Sequence, residues 1–149
     1  MPFFKIGSHF HFSEISCNFT LFHIFAKPFK NSFYTDNIMN VKELIEKLNL
    51  KIFCGAQHLD REIKGGYVSD LLSDVMGFAQ EGNVWMTLQT HKNVIAIASL
   101  KELACVILVK GFEPDPDMLE QAKEEEIPIL GTDKQTFEIS GLVYTEINK

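Results

Sequence analysis

The chain is poor in cysteine, with three in 149 residues at positions 17, 54 and 105. An odd number at wide spacing fits neither a disulfide framework nor a zinc clip, and it suits a reducing compartment. No apolar run approaches the ~20 residues of a membrane-spanning helix. Basic residues are in deficit, with 14 Lys and Arg against 20 Asp and Glu and a net charge of −6. The electrostatic footprint that phosphate backbones select is therefore missing, and neither nucleic acid nor a membrane is expected as a partner. A cytoplasmic location is the expectation. Also missing are the local signatures of chemistry. The chain has no Gly-x-x-x-x-Gly-Lys-Ser phosphate loop, no Gly-rich dinucleotide loop, no serine in a nucleophile elbow and no local Cys/His signature. We therefore expect no catalytic residues, no cofactor and no metal.

What is present is the composition of a soluble globular protein, 46% hydrophobic and 23% charged. The length fits one domain, able to bury roughly 68–70% of the surface its unfolded chain exposes. The composition is uneven. Nine of the 13 phenylalanines and three of the five histidines precede Met39. From Met39 onward, 11 basic and 18 acidic residues give −7, leaving +1 for residues 1–38. That first segment shows no sustained period and does not read as a signal peptide. The expectation is a segment outside the domain, disordered or an upstream mis-extension of a chain that starts at Met39. The competing reading is an aromatic segment that seeks a partner surface.

After Met39 the pattern becomes regular. Asn40 and Glu43 form a capping-box start for a helix carrying Val41, Leu44, Ile45 and Leu48 at helical spacing. Lys51 to Cys54 reads as a short strand, and Gly55 to Ile63 as a loop that ends near Gly65-Gly66. Ser69 is expected to cap a helix with Leu71, Leu72, Val75, Met76 and Ala79 turned inward. Asn83 to Gln89 reads as a buried strand, and Thr90 as the cap of a helix running to about Leu103. Cys105 to Val109 has the β-branched, apolar character of a central parallel strand. Asp115-Pro116 opens a helix in the preferred order of cap then proline, with Met118, Leu119 and Ala122 inward. Pro128 to Leu130 gives a last strand, and Thr132 or Asp133 starts a last helix containing Phe137, Gly141 and Tyr144. Alternation of strands and helices predicts one three-layer α/β/α domain, residues 39–149, around a mainly parallel sheet.

The run Gly65-Gly66-Tyr67-Val68-Ser69-Asp70-Leu71-Leu72-Ser73-Asp74, with Thr87 to Asn93 and Ile127-Pro128-Ile129-Leu130, resembles the DRTGG domain family. The resemblance covers nearly all of Met39 to Lys149 and is closest to short, stand-alone members. Related domains sit at the N-terminus of HPr kinase/phosphorylase, inside phosphotransacetylases and beside CBS domains in regulated pyrophosphatases. There the domain is accessory, which implies a non-catalytic ligand-sensing or dimerisation module. The chain departs from the family's name. It has Thr90-His91-Lys92-Asn93 in place of the Asp-Arg pair and Lys110-Gly111-Phe112 in place of Thr-Gly-Gly, so of these only Gly111 is kept. Asp60-Arg61 with Gly65-Gly66 imitates the name in another region.

In open α/β sheets, ligands bind beyond the carboxyl ends of the strands, where helix N-termini offer free N–H groups. On that rule the candidate ligand-binding residues are Thr87, Gln89, Thr90, His91, Asn93, Lys110, Gly111 and Thr132, arranged for a small anion such as a nucleotide or phosphate metabolite. Each has a plainer alternative. His91 can simply bond a neighbouring loop, Asn93 can close a helix start with its amide, and Gly111 can serve only a backbone angle. Asp70 and Asp74, one helical turn apart, can chelate a cation or complement a helix dipole. Cys54 and Cys105 read as small core hydrophobes. Two functions remain open. One is a regulatory module that binds an anionic metabolite and signals to an unknown protein partner. The other is a ligand-free dimerisation scaffold for a larger, possibly redox-enzyme, assembly. A homodimer is expected in both, partly because Trp85 and Tyr67 crowd one small core.

Overall fold

The structure, a computed structural model, describes residues 38–149. The expectations for the segment before Met39 lie, Ile38 apart, outside the described residues. The elements follow in the order α1 (Val41–Leu48), β1 (Lys51–Cys54), β2 (Gly65–Val68), α2 (Leu72–Phe78), β3 (Asn83–Thr87), α3 (Asn93–Leu100), β4 (Cys105–Leu108), α4 (Pro116–Glu124), β5 (Ile129–Gly131) and α5 (Thr136–Ile147). One five-stranded sheet has the order β1-β5-β4-β3-β2. β2 to β5 are parallel, and β1 joins the edge antiparallel to β5, with Lys51 opposite Gly131.

From β2 to β5 the chain always steps in one direction across the sheet, so right-handed crossovers place the intervening helices on one face. Val75 of α2 with Ala79 at its C-terminal cap, Val94, Ile95 and Ala98 of α3, and Met118 and Ala122 of α4 accordingly pack on Trp85, Val106, Leu108 and Ile129. Val41 and Leu44 of α1 and Ile139 and Val143 of α5 cover the other face, against Val84, Met86, Cys105, Ile107 and Leu130. The period-two alternation of β3 and β4 divides their side chains between these two cores. The result is the expected three-layer α/β/α domain.

Several local expectations hold. Asn40 and Glu43 form both halves of the capping box. Asp115 is the extended N-cap residue before Pro116. Cys54 and Cys105 are buried free thiols.

Others are corrected. β2 was not expected, because Gly65-Gly66 reads as a turn; pairing with β3 makes it a strand, and a Cβ on Gly65 would fall 2.8 Å from the Asn83 amide. Ser69 does not cap α2, which starts at Leu72 after Leu71. The Ser69 carbonyl instead accepts the Trp85 indole N–H at 2.8 Å, and its hydroxyl accepts Leu71 N–H at 3.2 Å. Leu71 and Met76 are exposed rather than turned inward, because a two-turn helix at the border of the sheet buries only one narrow stripe. α3 spans Asn93 to Leu100 rather than Thr90 to Leu103, since Glu102 takes a left-handed conformation (φ 52°) that ends the helix while Leu103 stays in the core. α5 starts at Thr136 rather than Thr132 or Asp133. Trp85 is fully buried and Tyr67 packs partly buried on the same cluster, so crowding gives no argument for a dimer.

Candidate functional site

The chain leaves β4 toward α4 on one face and leaves β5 toward α5 on the other. Loops that diverge in this way open a crevice at the carboxyl end of a parallel sheet. A pocket of about 470 Å³ lies there, extended over the antiparallel β1. Its floor includes Gly131 and Phe53, and its rim includes Lys47, Lys51, Phe112, Glu113, Thr132 and Lys134. Lys51 and Phe53 are two apart on β1 and therefore share a side, which sets the Lys51 ammonium 4.4 Å from the Phe53 ring centroid. Gly131 makes this possible, because a Cβ there would fall 2.3 Å from Phe53 Cε2.

Each rim lysine meets a carboxylate: Lys47 with Glu146 at 3.3 Å, Lys51 with Glu113 at 2.8 Å, Lys134 with Glu138 at 2.8 Å. The Lys51 hydrogen bond, followed by its charge, holds the Glu113 carboxyl below the ordinary range. Lys149 chiefly, and also Lys47, does the same for Glu146. The Lys51–Glu113 and Lys134–Glu138 pairs are exposed and solvent-screened, and such pairs contribute at most about 1 kcal/mol. An incoming anion can therefore exchange with the carboxylates at small cost.

Of the eight residues chosen from sequence, the pocket brings together Gly111 and Thr132. Their main chains are already joined: Gly111 N–H donates to Thr132 O at 2.9 Å and Lys110 N–H to Lys134 O at 3.0 Å. The free N–H groups expected in this loop are thus consumed. Lys110 and Gly111 both have positive φ, at 58° and 72°, which turns the chain sharply after β4. Thr132 Oγ1 accepts the Lys134 N–H at 3.3 Å. The other residues lie outside the pocket lining. Thr87 is buried and donates to Asp70 Oδ1 at 2.8 Å, an oxygen that also accepts Leu88 N–H at 2.7 Å. Gln89 Oε1 and His91 Nε2 are 2.9 Å apart. His91 Nδ1 is buried with no hydrogen-bond partner among the described residues. Thr90 holds the start of α4 through its carbonyl, which accepts Asp115 N–H at 3.0 Å. Asn93 is the exposed first residue of α3.

Asp70 and Asp74 do not converge on a cation. Asp70 ties off the end of β3, and Asp74 accepts the Tyr67 hydroxyl at 2.9 Å. No group of three metal-ligating side chains occurs among the described residues. Arg61 of the false Asp-Arg motif donates to Leu103 O at 3.0 Å, a structural role. Sequence reasoning missed Lys47, Lys51, Phe53, Phe112 and Lys134. The alternation of Lys51 and Phe53 was visible, but only the pairing of β1 with β5 sets them beside the loops of β4 and β5.

The sequence profile of the DRTGG domain matches residues 43–145. The chain belongs to the DRTGG domain family. No curated protein sequence matches it. Among solved structures, the DRTGG fold seen here is similar to the CBS and DRTGG domains of the regulatory region of the Clostridium perfringens pyrophosphatase, complexed with the activator diadenosine tetraphosphate. The TM-score is 0.58 at 16% identity, over 72% of this chain and 46% of that one. The DRTGG chain thus spans less than half of that structure, and the likeness is one of fold.

Proposed function

We propose that this DRTGG domain is a non-catalytic regulatory module that binds a small anionic ligand, a nucleotide or phosphate metabolite, and reports its occupancy to a protein partner in the cytoplasm. The observation that carries the reading is the pocket at the end of β5. It combines three lysines with the Phe53 and Phe112 rings, so its lining offers cations for a phosphate and apolar surface for the rest of a small ligand. Gly111 and Thr132 belong to its lining, with Lys110 beside them in the chain. The similar pyrophosphatase regulatory region was solved with a dinucleoside polyphosphate activator, which supports a ligand of this class. No helix among the described residues is long and apolar enough to cross a membrane, in keeping with that location.

The test is thermal unfolding of the full chain against adenine and guanine nucleotides, acetyl phosphate and inorganic phosphate. A ligand at 100 times its dissociation constant adds about 2.7 kcal/mol, a shift of several degrees. The expected result is a shift with one nucleotide that Lys51→Ala combined with Lys134→Ala abolishes. A flat panel over a cooperative transition, or a shift that survives the double substitution, overturns the reading.

A further inference from the structure

Three lysines line the pocket, and each already meets a carboxylate. The three carboxylates are not placed alike. Glu146 and Glu138 belong to α5 and stand outside the pocket lining, whereas Glu113 is itself part of it. Space that an anionic ligand would use therefore already holds a negative charge of the protein, 2.8 Å from Lys51 Nζ.

The surrounding chain keeps Glu113 in that place. Phe112 N–H donates to Val109 O at 3.2 Å, Gly111 N–H to Thr132 O at 2.9 Å and Asp115 N–H to Thr90 O at 3.0 Å, so the main chain is tied on both sides. Pro114 follows directly and disfavours helical backbone at Glu113. On the other side of the pair, the Phe53 ring lies 4.4 Å from the Lys51 ammonium and steadies it over the pocket floor. A carboxylate tethered so closely meets its lysine at an effective concentration on the order of millimolar or above. The Lys51 hydrogen bond and charge hold the Glu113 carboxyl below the ordinary range, so the pair is ionised at neutral pH. Both side chains remain exposed, at 61% and 70%, and Glu113 can leave Lys51 by side-chain rotation while its main chain stays tied.

We infer that Glu113 is a built-in competitor for the anionic ligand of this pocket: it occupies Lys51 in the ligand-free domain, and a phosphate group binds by displacing it. The inference rests on the ligand reading above and adds its regulation. Every anion that uses Lys51 is weakened by the same factor. Glu113 therefore sets the concentration at which the pocket fills, not the identity of what fills it.

The test is the affinity of the full chain for inorganic pyrophosphate, measured by isothermal titration calorimetry in a double-mutant cycle of Glu113→Gln and Lys51→Gln. Glu113→Gln is expected to tighten binding about two- to fivefold, the range that an exposed ion pair can withhold. Lys51→Gln is expected to weaken it. In the Lys51→Gln background the Glu113 substitution is expected to change nothing, because no lysine is left to release. Both residues are exposed, so all four chains are expected to fold and to unfold at similar temperatures. A Glu113→Gln chain that binds no tighter overturns the inference. So does an equal gain in the Lys51→Gln background, which would make Glu113 a general repulsive charge and not a competitor for Lys51. In both cases the wild type still binds, and the ligand reading stands. Pyrophosphate binding to none of the four chains defeats the pocket as a phosphate site, and the inference with it.

Discussion

Asp70 accepts the buried Thr87 hydroxyl at 2.8 Å and, through the same oxygen, the Leu88 N–H at 2.7 Å. The residue stands between β2 and α2, and Thr87 ends β3, so one carboxylate locks the carboxyl ends of two neighbouring strands together. Asp70→Ala leaves a buried hydroxyl without its acceptor, and an unsatisfied group of this kind costs about 1–3 kcal/mol. Urea unfolding is expected to show that loss, and a smaller one for Asp70→Asn, which keeps an acceptor oxygen. Equal stability in Asp70→Ala and the wild type would remove this lock from the account.

Gly131 and Phe53 form the floor of the pocket. Gly131→Ala forces the ring to move, and overpacking of this kind costs about 1–3 kcal/mol. In a Phe53→Ala background the same substitution is expected to be nearly neutral, and the double-mutant cycle in urea measures the coupling. An unchanged cost in that background would mean that the strain lies in the backbone and not in the ring.

Burial pushes the Cys105 thiol up to about 12, with Arg61 opposing the shift. The folded state thus favours the protonated form. Its contribution to stability is complete below the unfolded value near 9.0 and is lost as pH rises from there toward 12. Over that window the thiol is expected to lower stability progressively as pH rises. Cys105→Ala is expected to flatten the alkaline slope measured by urea unfolding at stepped pH. An identical slope would assign the alkaline loss to other groups, Tyr67 among them, since burial and then Asp74 also raise its phenol.

The capping box of α1 gives a local test. Asn40 accepts Glu43 N–H at 2.9 Å while Glu43 accepts Asn40 N–H at 3.3 Å. Asn40→Ala is expected to cost about 1 kcal/mol, and Asn40→Ser to retain most of the stability. A lower urea midpoint with an unchanged slope is the expected signature.

The sequence alone determined the elements whose signals are local. The Asn40–Glu43 box, the Asp115-Pro116 helix start and the apolar run Cys105–Leu108 each carry their cause within a few residues, and together they specified the α/β/α class. The run from Gly65 to Asp74, together with Thr87 to Asn93 and Ile127 to Leu130, pointed to the family. Only the tertiary structure decided the rest. Gly65-Gly66 has no side-chain period, so β2 exists because β3 pairs with it. Ser69 looks like a helix cap and Asp70 like a carboxylate that complements a helix dipole, yet Trp85 on β3 and Leu88 just after it are their partners. The pocket was half legible, since the ends of β4 and β5 follow from topology and led to Gly111 and Thr132. Lys51 and Phe53 could not be placed there, because an antiparallel edge strand brings them from a distant part of the chain. Hydrogen bonds to residues far along the chain leave no periodic trace in sequence, and in this domain they fix both the pocket and the β2 edge.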